Sequence, residues 1–154
     1  MNKVNSGKLI HGAMVTGIIN AVVNGIINWF QVSGKSEIML TVDSISNKEH
    51  TVMGGAIILA FTLSVIIAGI GYFTLKLNEK PKFFPTAFIV IVKNAFFLFG
   101  VFVTLAILWQ RFAGSVSVSP VMAAIIVGVI AGIVAGVTDY LTKKELLGHH
   151  IINN

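Results

Sequence analysis

Four long apolar blocks, separated by short polar segments, make up most of this 154-residue chain. A helix needs roughly 20 apolar residues to cross the hydrocarbon core of a bilayer, and each block reaches that length. The alternating pattern of a membrane barrel is missing, and an isolated strand would leave its backbone unpaired in lipid, so each block is predicted to be a helix. The predicted spans are residues 9–30, 51–75, 85–109 and 120–141.

Composition supports a membrane location. Hydrophobic residues make up 55% of the chain and charged residues 11%, and the mean hydropathy is +0.88. A soluble domain of this composition would expose more apolar surface than water tolerates. The sequence therefore predicts an all-α integral membrane protein with one four-helix domain over residues 1–154.

Small residues recur at every fourth position in the second and fourth blocks. The two ladders are Ala56, Ala60, Ser64 and Ala68, and Ala124, Gly128, Gly132 and Gly136. At equal offsets they are followed by Tyr72, Thr74 and Lys76, and by Tyr140, Thr142 and Lys144. This likeness predicts an internal repeat, with units at residues 9–76 and 85–144, and thus two tandem helical hairpins of the same orientation.

Such ladders are typical of faces on which membrane helices pack closely. The two ladders are expected either to pack on each other or to pack separately on neighbouring subunits. The functional alternative is a path lined by the glycines.

Helix starts can be predicted ahead of the second and fourth blocks. Ser46 and Glu49 have the spacing of a capping box, and Ser119 followed by Pro120 is a helix cap with proline at the first helical position.

The connection formed by residues 31–50 is longer than a minimal turn. Its short apolar run, residues 38–42, predicts an interfacial or re-entrant segment on the outer side. This segment would either pack on its own bundle or serve as a lid or docking site for a partner.

Basic residues predict the orientation of the bundle. Three lie on one side, Lys35, Lys48 and Arg111, and seven on the other, Lys3, Lys8, Lys76, Lys80, Lys82, Lys143 and Lys144. Because positive residues stay cytoplasmic, both termini are expected inside, in an inner or plasma membrane of bacterial type. Anionic lipid headgroups are the expected partners of these lysines, and nucleic acid is not.

A stripe of carboxamides marks the first block. Asn20, Asn24 and Asn28 follow one another at intervals of four, and Thr16 continues the stripe by one turn. Such residues in lipid either bond to other helices and set their register or line a path for a polar solute or ion. The stripe is the principal candidate for a substrate or ion path.

Lys93 is the one basic residue inside a predicted span. Lysine is costly at the bilayer centre, so this side chain is expected to reach toward the cytoplasmic face or to pair with an acid. Asp139 approaches the same level from the fourth block and is the predicted partner. A structural ion pair and a site for proton coupling or anion binding are the two interpretations.

Several chemistries find no support in the sequence. Cysteine is absent, and the four histidines have no ligand partners at metal-binding spacing. No nucleophile elbow, phosphate loop or pair of carboxylates occurs in the spans. We therefore expect no metal, no cofactor and no enzymatic activity.

Two function classes remain. The first is a transporter or channel subunit for a small solute or ion, which works as an oligomer because four helices enclose little volume. The second is a non-catalytic accessory or assembly subunit, which docks on a membrane protein partner through its ladders and outer connection.

Overall fold

The computed structural model describes residues 6–41, 51–77 and 80–152. The helices are α1 (Ser6–Val32), α2 (Val52–Thr74), α3 (Phe88–Ala113) and α4 (Pro120–Ile152), and a π-helical segment, Phe83–Ala87, leads into α3. Two short strands, β1 (Ile38–Leu40) and β2 (Val116–Val118), lie between helices. Four helical segments are long and apolar enough to cross a membrane, so the architecture is that of a multi-pass membrane protein.

Helix α4 lies at the centre of the bundle and contacts each of the other three helices, while α2 and α3 also pack on each other. Two ring contacts show the relative direction of α2 and α3. The Tyr72 and Phe83 rings pack edge-to-face, and so do the Phe61 and Phe96 rings. Residues near the end of α2 therefore meet the segment leading into α3, which makes these helices antiparallel neighbours. Helix α1 packs mainly on α4 and is the most exposed of the four.

Two local caps set the starts of α2 and α4. The Ser119 hydroxyl accepts a hydrogen bond from the Met122 amide at 3.3 Å, and α4 begins at Pro120, as predicted. In α2, the Thr51 hydroxyl accepts from the Gly54 amide at 3.3 Å. The predicted capping box at Ser46 and Glu49 lies outside the described residues.

The connection between α1 and α2 and the one between α3 and α4 meet in a small sheet. β1 and β2 pair in antiparallel register, Ile38 opposite Val118 and Leu40 opposite Val116. Ile38 and Leu40 are each 4% exposed and pack with Val32, Val52, Ala123 and Val127 at the ends of the helices. The part of the apolar run that the structure describes thus packs on its own bundle, because alternate residues of β1 are buried.

The glycine ladder of α4 packs on α1. A Cβ atom built on Gly128 would lie 2.8 Å from the Ala21 carbonyl oxygen, and one on Gly132 would lie 2.8 Å from the Ala21 Cβ. Gly17 approaches Gly132 in the same way, with a built Cβ 2.8 Å from the Gly132 carbonyl oxygen. Two backbones come this close only where side chains are minimal.

The ladder of α2 packs on another face of α4. Ala60 shares a buried cluster with Ala131 and Ala135, and Ser64 is fully buried. Within the described chain the glycines of α4 therefore face α1, while the ladder of α2 faces the alanines of α4. The reason is a third run of small residues on α1, formed by Ala13, Gly17, Ala21 and Gly25, which is the surface that receives the glycines of α4.

Candidate functional site

The carboxamide stripe of α1 lies at the edge of its contact with α4. Thr16, Asn20, Asn24 and Asn28 are all half-buried, whereas most other side chains of α1 are exposed. An α-helix turns by about 100° per residue, so Thr16 and Asn20 lie on one side of the run of small residues on α1, and Met14 and Ile18 lie on the other side. The stripe therefore borders the packed interface.

Two members of the stripe use their donors within α1. The Asn20 side-chain amide donates to the Thr16 carbonyl at 2.8 Å, and that of Asn24 donates to the Asn20 carbonyl at 2.9 Å. Both contacts run one turn back along the same helix, so they do not tie α1 to another helix. The amide oxygens of these two residues are not used by these bonds.

Asn28 differs from the other two. Its Oδ1 atom is buried and accepts no hydrogen bond from the part of the chain that the structure describes. A buried carbonyl oxygen without a donor costs roughly 1–3 kcal/mol, so a donor from outside the described residues would stabilise it. Asn28 is thus the member of the stripe whose acceptor is buried and unused within the described residues.

A second polar site connects α2, α3 and α4. We call it the polar junction, and its members are Ser64, Asn94, Thr138, Asp139, Thr142 and Lys143. Five of them are buried, with exposures of 0 to 4%, and Lys143 is half-buried. So many buried polar groups are maintained only where they bond to one another.

Hydrogen bonds join the junction across helices. The Asn94 side-chain amide donates to the Thr142 hydroxyl at 3.2 Å, linking α3 to α4. The Thr138 hydroxyl donates to the Ser64 hydroxyl at 3.4 Å, which in turn donates to the Ala60 carbonyl at 2.7 Å. These bonds give the three helices a defined register.

The charged part of the junction is an ion pair within α4, which we call the buried pair. Lys143 Nζ lies 2.7 Å from Asp139 Oδ1, and the two side chains are 18% and 3% exposed. Gly71 of α2 leaves room for the carboxylate, since a Cβ built there would lie 3.4 Å from Asp139 Oδ1. The carboxylate is thus neutralised by the lysine one turn along its own helix.

Lys93 does not pair with Asp139, its predicted partner. It forms an ion pair with Glu145, and the side chains are 56% and 28% exposed; we call this the exposed pair. The cause is the length of α4, which continues well past residue 141. Leu146, fully buried against Val90, brings this extension alongside the start of α3 and so places Glu145 within reach of Lys93.

The structure therefore separates the predicted site residues into two places. Asn20, Asn24 and Asn28 lie on α1, while Asp139 belongs to the junction and Lys93 lies at its rim. Sequence reasoning missed Asn94, Thr138 and Thr142 as junction members. Their signal was weak, because the threonines resemble the ordinary small residues of a membrane helix until a buried carboxylate and amide are placed beside them.

The described polar groups form hydrogen bonds and ion pairs. In residues 6–41, 51–77 and 80–152 there is no group of three histidines or acidic residues that could hold a metal ion. The stripe offers neutral donors and acceptors, and the junction offers one charge-compensated pair.

Apolar grooves open on the surface of the described part of the bundle. One, of about 560 Å³, lies between α2 and α3 and is bordered by Met53, Phe102 and Trp109. Two more, of about 540 and 450 Å³, follow the seam between α1 and α4. Large hydrophobic side chains such as Phe84 and Phe112 are exposed, as expected of a surface that faces lipid.

Comparison of the chain with models of protein families, with curated proteins and with solved structures found no match.

Proposed function

We propose that this protein is a transport or channel subunit for a small polar solute or ion, working as an oligomer in a bacterial-type inner or plasma membrane. The observation that carries the proposal is the buried, unpartnered Oδ1 of Asn28, in line with the amide oxygens of Asn20 and Asn24. A polar stripe within a membrane is costly unless it binds something.

The chemistry of the stripe limits what it would carry. Each side-chain amide of Asn20 and Asn24 gives one of its two N–H donors to the backbone, and its carbonyl oxygen is an acceptor that these bonds do not use. Such acceptors suit a solute that donates hydrogen bonds or a cation that sheds part of its water. Carboxamides carry no charge that would trap an ion.

The exposure of α1 supports the proposed oligomerisation. Only 11% of the most apolar stretch of α1 is buried within the described part of the chain, which leaves most of this helix available to a second copy. We propose that a second copy covers the stripe and that the two hairpins descend from one duplicated unit.

We further propose that both termini are cytoplasmic, on the basis of the seven lysines that the sequence pattern assigns to one side of the membrane. The chain has no cysteine, so single cysteines can be introduced without background. Ser36→Cys and Lys76→Cys are both at exposed positions. In intact cells, a maleimide that does not cross membranes should label the first variant and not the second, and the reverse pattern would refute this orientation.

Flux through proteoliposomes tests the transport proposal. Purified protein should speed the entry of at least one member of a panel of monovalent cations and small neutral polar solutes, relative to empty vesicles. Entry at the rate of empty vesicles for the whole panel would refute it.

The second candidate is an accessory subunit of a membrane complex. The apolar groove between α2 and α3, bordered by Phe102 and Trp109, favours it because an apolar partner helix would fit there. This function predicts a membrane protein that co-purifies in fixed ratio, together with an absence of flux.

A further inference from the structure

The inner half of the seam between α1 and α4 contains a groove, which we call the lipid groove. Its walls are formed by Ile10, Met14 and Ile18 of α1 and by Val129, Ile133 and Val137 of α4. Its floor includes Gly17, Gly132 and Gly136, where the two helices approach most closely. Because the small residues bring the helices together, the larger flanking side chains border an open apolar groove of about 540 Å³.

The dimensions of the lipid groove match one leaflet. It extends along α4 from Val129 to Tyr140, which is about 16 Å at 1.5 Å per residue. The hydrocarbon core of a bilayer is about 30 Å thick, so one leaflet contributes about half of that. The groove is therefore long enough to hold an acyl chain across the full thickness of one leaflet.

The lipid groove ends beside a positive charge. Tyr140 closes it at the lysine-rich end of the bundle, and Lys144 Nζ lies 5.5 Å from the centre of the Tyr140 ring. Lys144 is exposed and, among the described residues, has no carboxylate within ion-pair distance, because Asp139 binds Lys143 and Glu145 binds Lys93.

The outer half of the same seam contains a second groove, of about 450 Å³, which is bordered by Trp29 and Val121. Neither groove is lined by a charged residue, but the lipid groove ends at Tyr140, beside Lys144. This lysine favours the lipid groove over the outer one for an anionic lipid.

We propose that the lipid groove binds one acyl chain of an anionic phospholipid, whose phosphate contacts Lys144. Tyr140 would place its ring at the level of the headgroup, where aromatic rings are favoured. A basic residue near a membrane surface strengthens binding of an anionic headgroup about fivefold. The site does not depend on transport, and its test does not measure flux.

Native mass spectrometry of the purified protein tests this site. The protein is exposed to an equimolar mixture of phosphatidylglycerol and phosphatidylcholine in detergent, and the lipid retained per chain is measured. The parent should retain one phosphatidylglycerol in preference to phosphatidylcholine. Lys144→Gln should reduce that preference about fivefold, whereas Lys76→Gln, a matched loss of an exposed lysine at the same end of the bundle, should leave it unchanged.

A second variant tests the groove itself. Ile133 is 54% exposed on the wall of the groove, so Ile133→Trp should fill the space without disturbing the buried core, and it should abolish retention of both lipids. Equal retention of the two lipids by the parent, or equal effects of the two lysine substitutions, would overturn the proposal. So would a dimer that retains no lipid and dissociates in Ile133→Trp, because the groove would then be an interface between copies.

Discussion

Gly128→Ala should destabilise the protein by separating α1 from α4. The added Cβ would lie 2.8 Å from the Ala21 carbonyl oxygen and 3.2 Å from the Gly25 Cα, whereas ordinary van der Waals contact begins near 3.4 Å. Both neighbours are backbone atoms, so no side-chain rotation can relieve the contact. The helices themselves must move apart.

The size of the effect follows from two opposing terms. Replacing glycine by alanine inside a helix is by itself favourable by up to about 1 kcal/mol. Forcing one extra carbon into a close-packed interface costs about 1–3 kcal/mol. At Gly128 the second term should dominate, since contact with α1 continues along the seam and α1 has little other packing.

Gly69→Ala is the matched control. This glycine also lies within a membrane helix, but a Cβ built on it meets nothing within 4 Å. The control should therefore keep the stability of the parent or gain up to about 1 kcal/mol.

Both variants can be measured by titration with sodium dodecyl sulfate in mild detergent. Trp29 lies on α1 beside the outer half of the seam, so its fluorescence reports the separation of α1. The measurement is made in a Trp109→Phe background. The reasoning is refuted if Gly128→Ala is as stable as Gly69→Ala, because α1 and α4 would then not be in backbone contact at this position.

Three further substitutions test the polar contacts by the same titration. Lys143→Met leaves the Asp139 carboxylate buried and unpaired, so it should lower the free energy of unfolding by about 3–5 kcal/mol. Adding Asp139→Asn should recover most of this loss. An unchanged loss in the double variant would argue against the buried pair. Glu145→Gln breaks the exposed pair and should cost less than about 1 kcal/mol, and a larger loss would mean that this pair is buried in the membrane-embedded protein. Asn94→Leu removes the donor to the Thr142 hydroxyl and should cost about 1–3 kcal/mol, and a neutral effect would show that the contact is not maintained.

The membrane helices could be predicted from hydropathy because lipid leaves few alternatives for an apolar segment of this length. The end of α4 could not be predicted from hydropathy. Lys143, Lys144 and Glu145 indicate the end of a span, yet the helix continues because Leu146 and Leu147 pack on Tyr72 and Val90. Tertiary packing, and not hydropathy, thus determines how far α4 extends.

The packing of α1 on α4 could not be predicted either, because it also depends on tertiary structure. The predicted repeat directs attention to the second and fourth helices, but the glycine ladder packs on the run Ala13, Gly17, Ala21 and Gly25 of α1, which has no counterpart in that comparison. The four-residue spacing shows that a helix face consists of small residues, but it does not show which helix will pack on that face.

The candidate site, too, could be predicted only in part from the spacing of residues. The stripe on α1 could be found from spacing alone, because three carboxamides in a membrane helix stand out. The junction required the structure, since Asn94 and Thr142 are 48 residues apart in the chain. The pairing of Lys93 with Glu145 depended on the unpredicted extension of α4.

Flux through proteoliposomes containing the parent, Asn24→Leu or Thr104→Val tests the central proposal most directly. Thr104 is an exposed polar residue of α3 that bonds only to the Gly100 carbonyl one turn back, so its substitution controls for the loss of a polar group in lipid. The proposal predicts that the solute carried by the parent enters at least tenfold more slowly with Asn24→Leu and at the parental rate with Thr104→Val. Equal flux through all three proteins would contradict a path along the stripe.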